Sequence, residues 1–149
     1  MPLKTNGGFL ISKIKQIQGR VFEKMLIEHG ISEFNGAQGR ILFVLWAKDD
    51  IPIKELSQKT GLAKTTLTGM LDRLEEAGHI HRAFDPADRR AVRIRLSDNA
   101  RNMRKKYEKV SEEMNKVFYD RFSENEILDF ENHLGKILEN LIKKENENE

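Results

Sequence analysis

Residues 51–80, IPIKELSQKTGLAKTTLTGMLDRLEEAGHI, admit few local folds. Ile53 to about Lys59 has the spacing of a short helix, and Gly61 interrupts it. A second helix is expected from about Lys64 to Ala77, stopped by Gly78. Leu67, Leu71 and Leu74 stripe one side of it, while Lys64, Thr65, Thr68, Gly69, Asp72 and Arg73 occupy the other. Ala63 stands where a hydroxyl or carboxamide N-cap would be expected. Two β-compatible runs follow, Ile80–Phe84 and Ala91–Leu96, the latter alternating Val92, Ile94 and Leu96 with Arg93 and Arg95. Asp85 and Pro86 favour a turn start, so the runs should pair as a hairpin with a basic loop.

The flanks read as long helices. Leu10, Ile14, Ile17, Val21 and Met25 form an amphipathic stripe between Phe9 and His29, widened by Phe22 and Leu26 and ended by Gly30. Asn35 with Gln38 is a capping-box pattern ahead of a helix apolar nearly all round, which belongs in the core. Ser97 suits the N-cap of a helix reaching Phe122, with Ala100, Met103, Tyr107, Val110, Met114 and Val117 at nearly heptad steps. Ser123 and Glu126 form a second capping box, opening a last helix with Ile127, Leu134, Ile137, Leu138 and Leu141 on one side. The final KKENENE is expected to fray.

A length of 149 residues suits one domain with one core. Net charge is +2, so its distribution says more than its sum. Residues 1–61 carry nine basic and six acidic side chains, 62–96 seven and five, and 97–149 ten and thirteen, making the C-terminal third the acidic end. There is no cysteine, which excludes disulfides and thiolate metal sites and suits a cytoplasmic location. Lysines interrupt every apolar run of MPLKTNGGFLISKIKQ, so neither a signal peptide nor a membrane span is expected. His79 and His81 alternate on a strand without further ligands of suitable spacing, His29 and His133 stand alone, and Asp49 and Asp50 sit in a loop. No phosphate-binding, dinucleotide or nucleophile-elbow pattern is present, so neither an enzyme nor a cofactor is indicated.

Two short helices meeting at a glycine and followed by a hairpin describe a winged helix-turn-helix. In this region, and almost end to end, the chain resembles the multiple-antibiotic-resistance regulator (MarR) family of bacterial and archaeal transcription factors. DPADRRAVRIRLS matches the family's wing pattern, and IKELSQKTGLAKTTLTGMLDRLEEAGHI its DNA-binding helices. The fold expected is mainly α with a small β-hairpin wing. One domain over 1–149 would carry dimerisation helices at 8–30 and 97–144 around a DNA-binding lobe at 35–96.

Lys64, Thr65, Thr66, Thr68, Gly69 and Arg73 are the candidate contacts of the second helix with double-stranded DNA, being small or hydrogen-bonding groups able to approach base edges. Near phosphates, Asp85 and Asp88 would be unfavourable unless paired with guanidiniums, so we expect one wing arginine to be held by acids and another to be aimed. By resemblance Arg90 is the arginine that enters the minor groove, with Arg89 pairing with an acid or touching phosphate. Arg93 and Arg95 are equally consistent with the solvated face of a strand.

The apolar stripes of the long helices, with Leu10, Ile14, Ile17, Ile127, Leu134, Ile137, Leu138 and Leu141, fit a homodimer interface, a monomeric bundle being the alternative. The resemblance implies a ligand-responsive repressor on a pseudo-palindromic operator, with a phenolic or anionic small-molecule effector. Phe22, Trp46 and Tyr107 are candidates to line the effector cleft, though plain core would also account for them. The competing class is a winged-helix protein-interaction module without specific DNA binding.

Overall fold

The structure, a computed structural model, describes residues 2–147. In chain order these form α1 (Gly7–Glu28), α2 (Gly36–Ala47), β1 (Ile51–Pro52), α3 (Ile53–Thr60), α4 (Lys64–Glu76), β2 (Ile80–Asp85), β3 (Asp88–Leu96), α5 (Asp98–Asn102), α6 (Arg104–Phe118) and α7 (Glu124–Asn146). They fall into two compact units, one up to Glu112 and the other from Glu113.

In the first unit the core grows around α2. Its expected capping box is present: Gln38 N donates to the Asn35 side chain at 2.8 Å, and Asn35 N donates to that of Gln38 at 3.0 Å. Ile41, Leu42 and Leu45 are fully buried, as are Leu67, Leu71 and Leu74 of α4 and Leu56 of α3. Burying a leucine side chain contributes about 1.5–3 kcal/mol, so the α4 stripe alone anchors that helix firmly. Gly61, at φ 73°, ends α3 in the left-handed conformation, where a side chain would be strained. Ser57 Oγ spans the turn to the Leu62 carbonyl at 2.7 Å, fixing the corner between α3 and α4.

The three strands form one antiparallel sheet in the order β1-β3-β2, with Ile51 opposite Ile94 and Ile80 opposite Leu96. Together α3, α4 and the β2–β3 hairpin make a winged helix-turn-helix. The sequence reading did not anticipate β1, since two residues ending in proline carry no period. Asp49 and Asp50 do lie in a loop, and that loop delivers β1 to the sheet edge.

The single helix expected from Ser97 to Phe122 is broken at Met103 and ends at Phe118. Ser97 does cap, accepting from Ala100 N at 3.2 Å. The break has a visible cause: Trp46 Nε1 donates to the Ala100 carbonyl at 2.8 Å, while Met103 N takes the same oxygen at 3.2 Å in a tightened turn. The Arg104 guanidinium returns to the Trp46 carbonyl at 3.1 Å.

In the second unit α7 begins with the expected box between Ser123 and Glu126 and continues to Asn146, so the tail stays helical further than expected; residues 148 and 149 lie outside those described. Before it, Arg121 at φ 68° turns the chain, and Phe118, Tyr119, Phe122 and Phe130 form an aromatic cluster. Tyr119 donates to Glu131 at 2.6 Å, and desolvation together with that carboxylate pushes the phenol up to about 12. No helix among the described residues is long and apolar enough to cross a membrane.

Tyr107 closes the first unit's core, its ring centroid 5.1 Å from Trp46, 5.7 Å from Phe22 and 5.9 Å from Phe34. A Cβ on Gly39 would stand 2.6 Å from that ring and 3.1 Å from that of Phe34, so one or both must shift. Gly39→Ala should therefore cost about 1–3 kcal/mol in urea unfolding. A variant as stable as the parent would show that the ring yields.

Candidate nucleic-acid interface

The outer face of α4 is open. Lys64, Thr65, Thr66, Thr68, Gly69 and Arg73 are all exposed, and nothing lies within 4 Å of a Cβ built on Gly69, so the middle of the face stays low. Thr68 Oγ1 donates to the Lys64 carbonyl at 2.8 Å, leaving the hydroxyl oxygen as an acceptor. Ala63 supplies no side-chain cap, so the first-turn N–H groups are left for an outside acceptor such as a phosphate oxygen. Asp72 would oppose an anion, but Arg82 Nη1 meets it at 2.7 Å. Arg82 is held further by Glu75, through Nη2 at 2.7 Å and Nε at 3.1 Å, and this tie joins β2 to α4. Those hydrogen bonds, first with Glu75 and then with Asp72, strengthen the guanidinium's hold on its proton, and Arg82 in turn lowers the Glu75 carboxyl.

The wing departs from the expected basic loop. Asp85 accepts from Ala87 N at 2.9 Å, closing the connection over Pro86 and Ala87, and β3 starts at Asp88. Phe84 pairs with Val92 but Asp85 with Asp88, so Arg89, Arg90 and Ala91 are extra residues on β3. Such a bulge lifts its residues out of the ladder. Arg89 and Arg90 are exposed there, and among the described residues no acid lies within ion-pair distance of either. Asp88 instead accepts from Arg90 N at 3.0 Å, shaping the bulge.

The held arginine is Arg93. Its Nη1 donates to Asp85 at 3.1 Å, its Nε to Asp50 Oδ1 at 3.0 Å, and its Nη2 to the Asp50 carbonyl. Arg95 Nη2 reaches the other Asp50 oxygen at 3.2 Å. Asp50 sits at φ 56°, a conformation aspartate tolerates better than most residues. Asp49 accepts from Leu96 N and from Arg101 Nη2, each at 2.9 Å. Of the two wing acids expected to meet guanidiniums, Asp85 does so, through Arg93 rather than Arg89 and together with Asp50 from a distant turn, whereas Asp88 meets only a backbone N–H. Arg82, Arg93 and Asp50 were missed as a set; the one local signal was Asp-Asp at a helix end, where a left-handed residue is often needed.

Between wing and α4 lies an open cleft of about 590 Å3, with Lys54, Lys64, Thr68, Arg82, Asp88 and Arg90 around the apolar Pro52, Ile53, Phe84 and Val92. Phe22, Trp46 and Tyr107, the candidate effector residues, do come together, with Trp46 8% and Tyr107 6% exposed in the core and Phe22 half-buried against it. Burial raises the Tyr107 phenol above its ordinary value. His79 is buried, with Nε2 3.0 Å from the Glu33 carbonyl, while His81 is exposed. On α1, Leu10, Ile14 and Ile17 are 44–52% exposed. On α7, Ile137, Leu138 and Leu141 are exposed, Ile127 and Leu134 half-buried, and none is fully buried.

Residues 34–92 match the model of the MarR family. The chain is 38% identical over 88 residues to the HTH-type transcriptional regulator TtmR of Methylorubrum extorquens (strain PA1), covering 59% of this chain and 44% of that protein. It is 33% identical over 100 residues to the uncharacterized HTH-type transcriptional regulator YsmB of Bacillus subtilis (strain 168), covering 67% and 68%. The match thus spans less than half the length of TtmR and about two thirds of YsmB. Among solved structures, that of reduced AbfR bound to DNA superposes with a TM-score of 0.70 at 26% identity, covering 90% of both chains; AbfR comes from Staphylococcus epidermidis.

The brace has a definite pH range. Hydrogen bonds from Arg93 hold the Asp50 carboxyl below the ordinary aspartate value, and the Ala87 N–H followed by Arg93 does so for Asp85. With the folded values depressed, the stabilisation is complete above the unfolded value of about 3.9 and is lost as pH falls through the lowered one. Protection of β3 amides against hydrogen exchange, corrected for intrinsic rates, should hold constant from about pH 8 to about pH 5. A loosening within that window that Asp50→Asn abolishes would contradict the assignment.

Proposed function

Since the chain belongs to the MarR family, we propose that it is a sequence-specific DNA-binding transcriptional regulator that acts as a homodimer, by binding and without catalysis. The observation that carries this reading is a partition of charge. Within the lobe, Asp50, Asp72, Glu75 and Asp85 are taken up by Arg82, Arg93 and Arg95, while Lys64, Arg73, Arg89 and Arg90 have no acid within ion-pair distance among the described residues and outnumber the two exposed acids of α4 and the wing, Glu76 and Asp88, that have no cation within that distance. The unpaired cations share a surface with hydroxyls and a bare glycine, the composition suited to a major groove; Arg90 on its bulge suits an adjoining minor groove.

A second copy accounts for the apolar faces of α1 and α7, and doubles the contact to half-sites about 34 Å apart on a pseudo-palindrome. Repression from a cytoplasmic operator is the mode of action we infer. An effector is favoured by the cleft beside α4, where Lys54, Lys64 and Arg90 outnumber the one lining acid, Asp88, beside apolar side chains, a composition that suits a small anionic aromatic molecule. Seated there it would occupy Lys64, Thr68 and Arg90, so effector and DNA would each weaken the other by the same factor. The burial of Trp46 and Tyr107 and the ring contacts of Phe22 favour a packing role for these three.

Selection of duplexes from a random pool, followed by titration in rising salt, tests the reading. A palindrome should be enriched, with a log-log salt slope of about −0.9 per neutralised phosphate. Arg90→Ala should lower operator affinity about tenfold, or about 1.4 kcal/mol, and chiefly for A·T-flanked sites. Sequence-indifferent binding with a normal hairpin would favour a protein-docking module instead. Leu138→Glu, which places a charge in an apolar face, should sediment as a single subunit and lose the operator; a dimeric variant would remove α7 from the interface.

A further inference from the structure

The turn between α2 and β1 grips β3 at three positions: Arg93 and Arg95 through Asp50, and the Leu96 amide through Asp49. Arg90 leaves the same strand three residues before Arg93, in the middle of the bulge. Simple charge reckoning makes Asp50 a handicap, since a carboxylate near a DNA-facing surface repels phosphate. Yet its backbone occupies the left-handed region to deliver both a carbonyl and a carboxylate to Arg93.

We propose that Asp50 is a positioning residue of the wing: by occupying Arg93 and Arg95 it sets the direction in which β3 presents Arg90, and it withholds those two guanidiniums from indiscriminate phosphate contact. The inference rests on the wing reading above. It reverses the sign that charge alone predicts. Losing the Asp50 carboxylate frees Arg95 and loosens Arg93, which keeps Asp85 and the Asp50 carbonyl; the mobile charge strengthens binding to any duplex, while the loss of aim weakens binding to the right one.

The test uses the full chain as a dimer, with the selected operator and a scrambled duplex of equal length. Asp50→Asn keeps the side chain's size, and Asp50→Gly suits the positive φ better than aspartate does; both lack the carboxylate. Each should bind the operator about tenfold more weakly and the scrambled duplex more tightly, with a scrambled-duplex salt slope steeper by up to about 0.9. In an Arg90→Ala background the same changes should cost the operator nothing further. Should either variant lose its helical signal, Asp85→Asn, which frees Arg93 from its other side while keeping an oxygen for the Ala87 N–H, carries the test. Tighter binding to both duplexes alike would mean that Asp50 merely repels DNA, and equal weakening on both would mean a general structural role; either overturns the proposal. A parent protein that fails to distinguish the duplexes defeats the wing reading itself, whereas a discriminating parent whose Asp50 variants still discriminate defeats only this inference.

Discussion

Leu67, Leu71 and Leu74 are each fully buried, and everything on the outer side of α4 depends on that burial. A helix of 13 residues has little stability of its own in water. Pressed against a core led by α2, it becomes a rigid support whose opposite face can remain polar, uncapped and partly bare. Gly69, which packing would not favour inside a helix, is tolerated because the leucines hold the backbone. The same logic sets Gly61 between α3 and α4, where a hydroxyl from Ser57 completes the corner.

Electrostatics then divides this surface into groups that are engaged internally and groups that are not. Exposed ion pairs contribute little to stability singly, so the network around Arg93 is better understood as geometry than as a source of folding energy. A guanidinium offers donors in a fixed plane, and Asp50 and Asp85 meet different edges of that plane from different elements. The hairpin is thereby joined to the turn before β1, and through Arg82 to α4. Wing and α4 share one frame.

Much of this was legible in the residues. The capping boxes at Asn35 and Ser123, the N-cap at Ser97, the leucine stripe and the glycine stops are local signals, and local signals survive without knowledge of the fold. Three features were not legible, for related reasons. β1 is too short to have a period. The break at Met103 depends on an indole 54 residues away competing for one carbonyl. Arg93 meets Asp50 across 43 residues, so the question of why acids crowd a wing could be posed from DPADRR but answered only in part there. Likewise Phe22, Trp46 and Tyr107 read the same in a ligand cleft or a core, because aromatic spacing does not reveal which side is solvent.

The bond that interrupts the helix after Asn102 has a practical corollary. The chain contains one tryptophan, and that indole is 8% exposed with its N–H committed to the Ala100 carbonyl. Its fluorescence therefore arises from a single apolar environment at the joint between α2 and α5. Emission would stay blue while the joint is closed and shift red when water reaches it, giving an intrinsic optical gauge of this lobe that is silent about the aromatic corner ahead of α7.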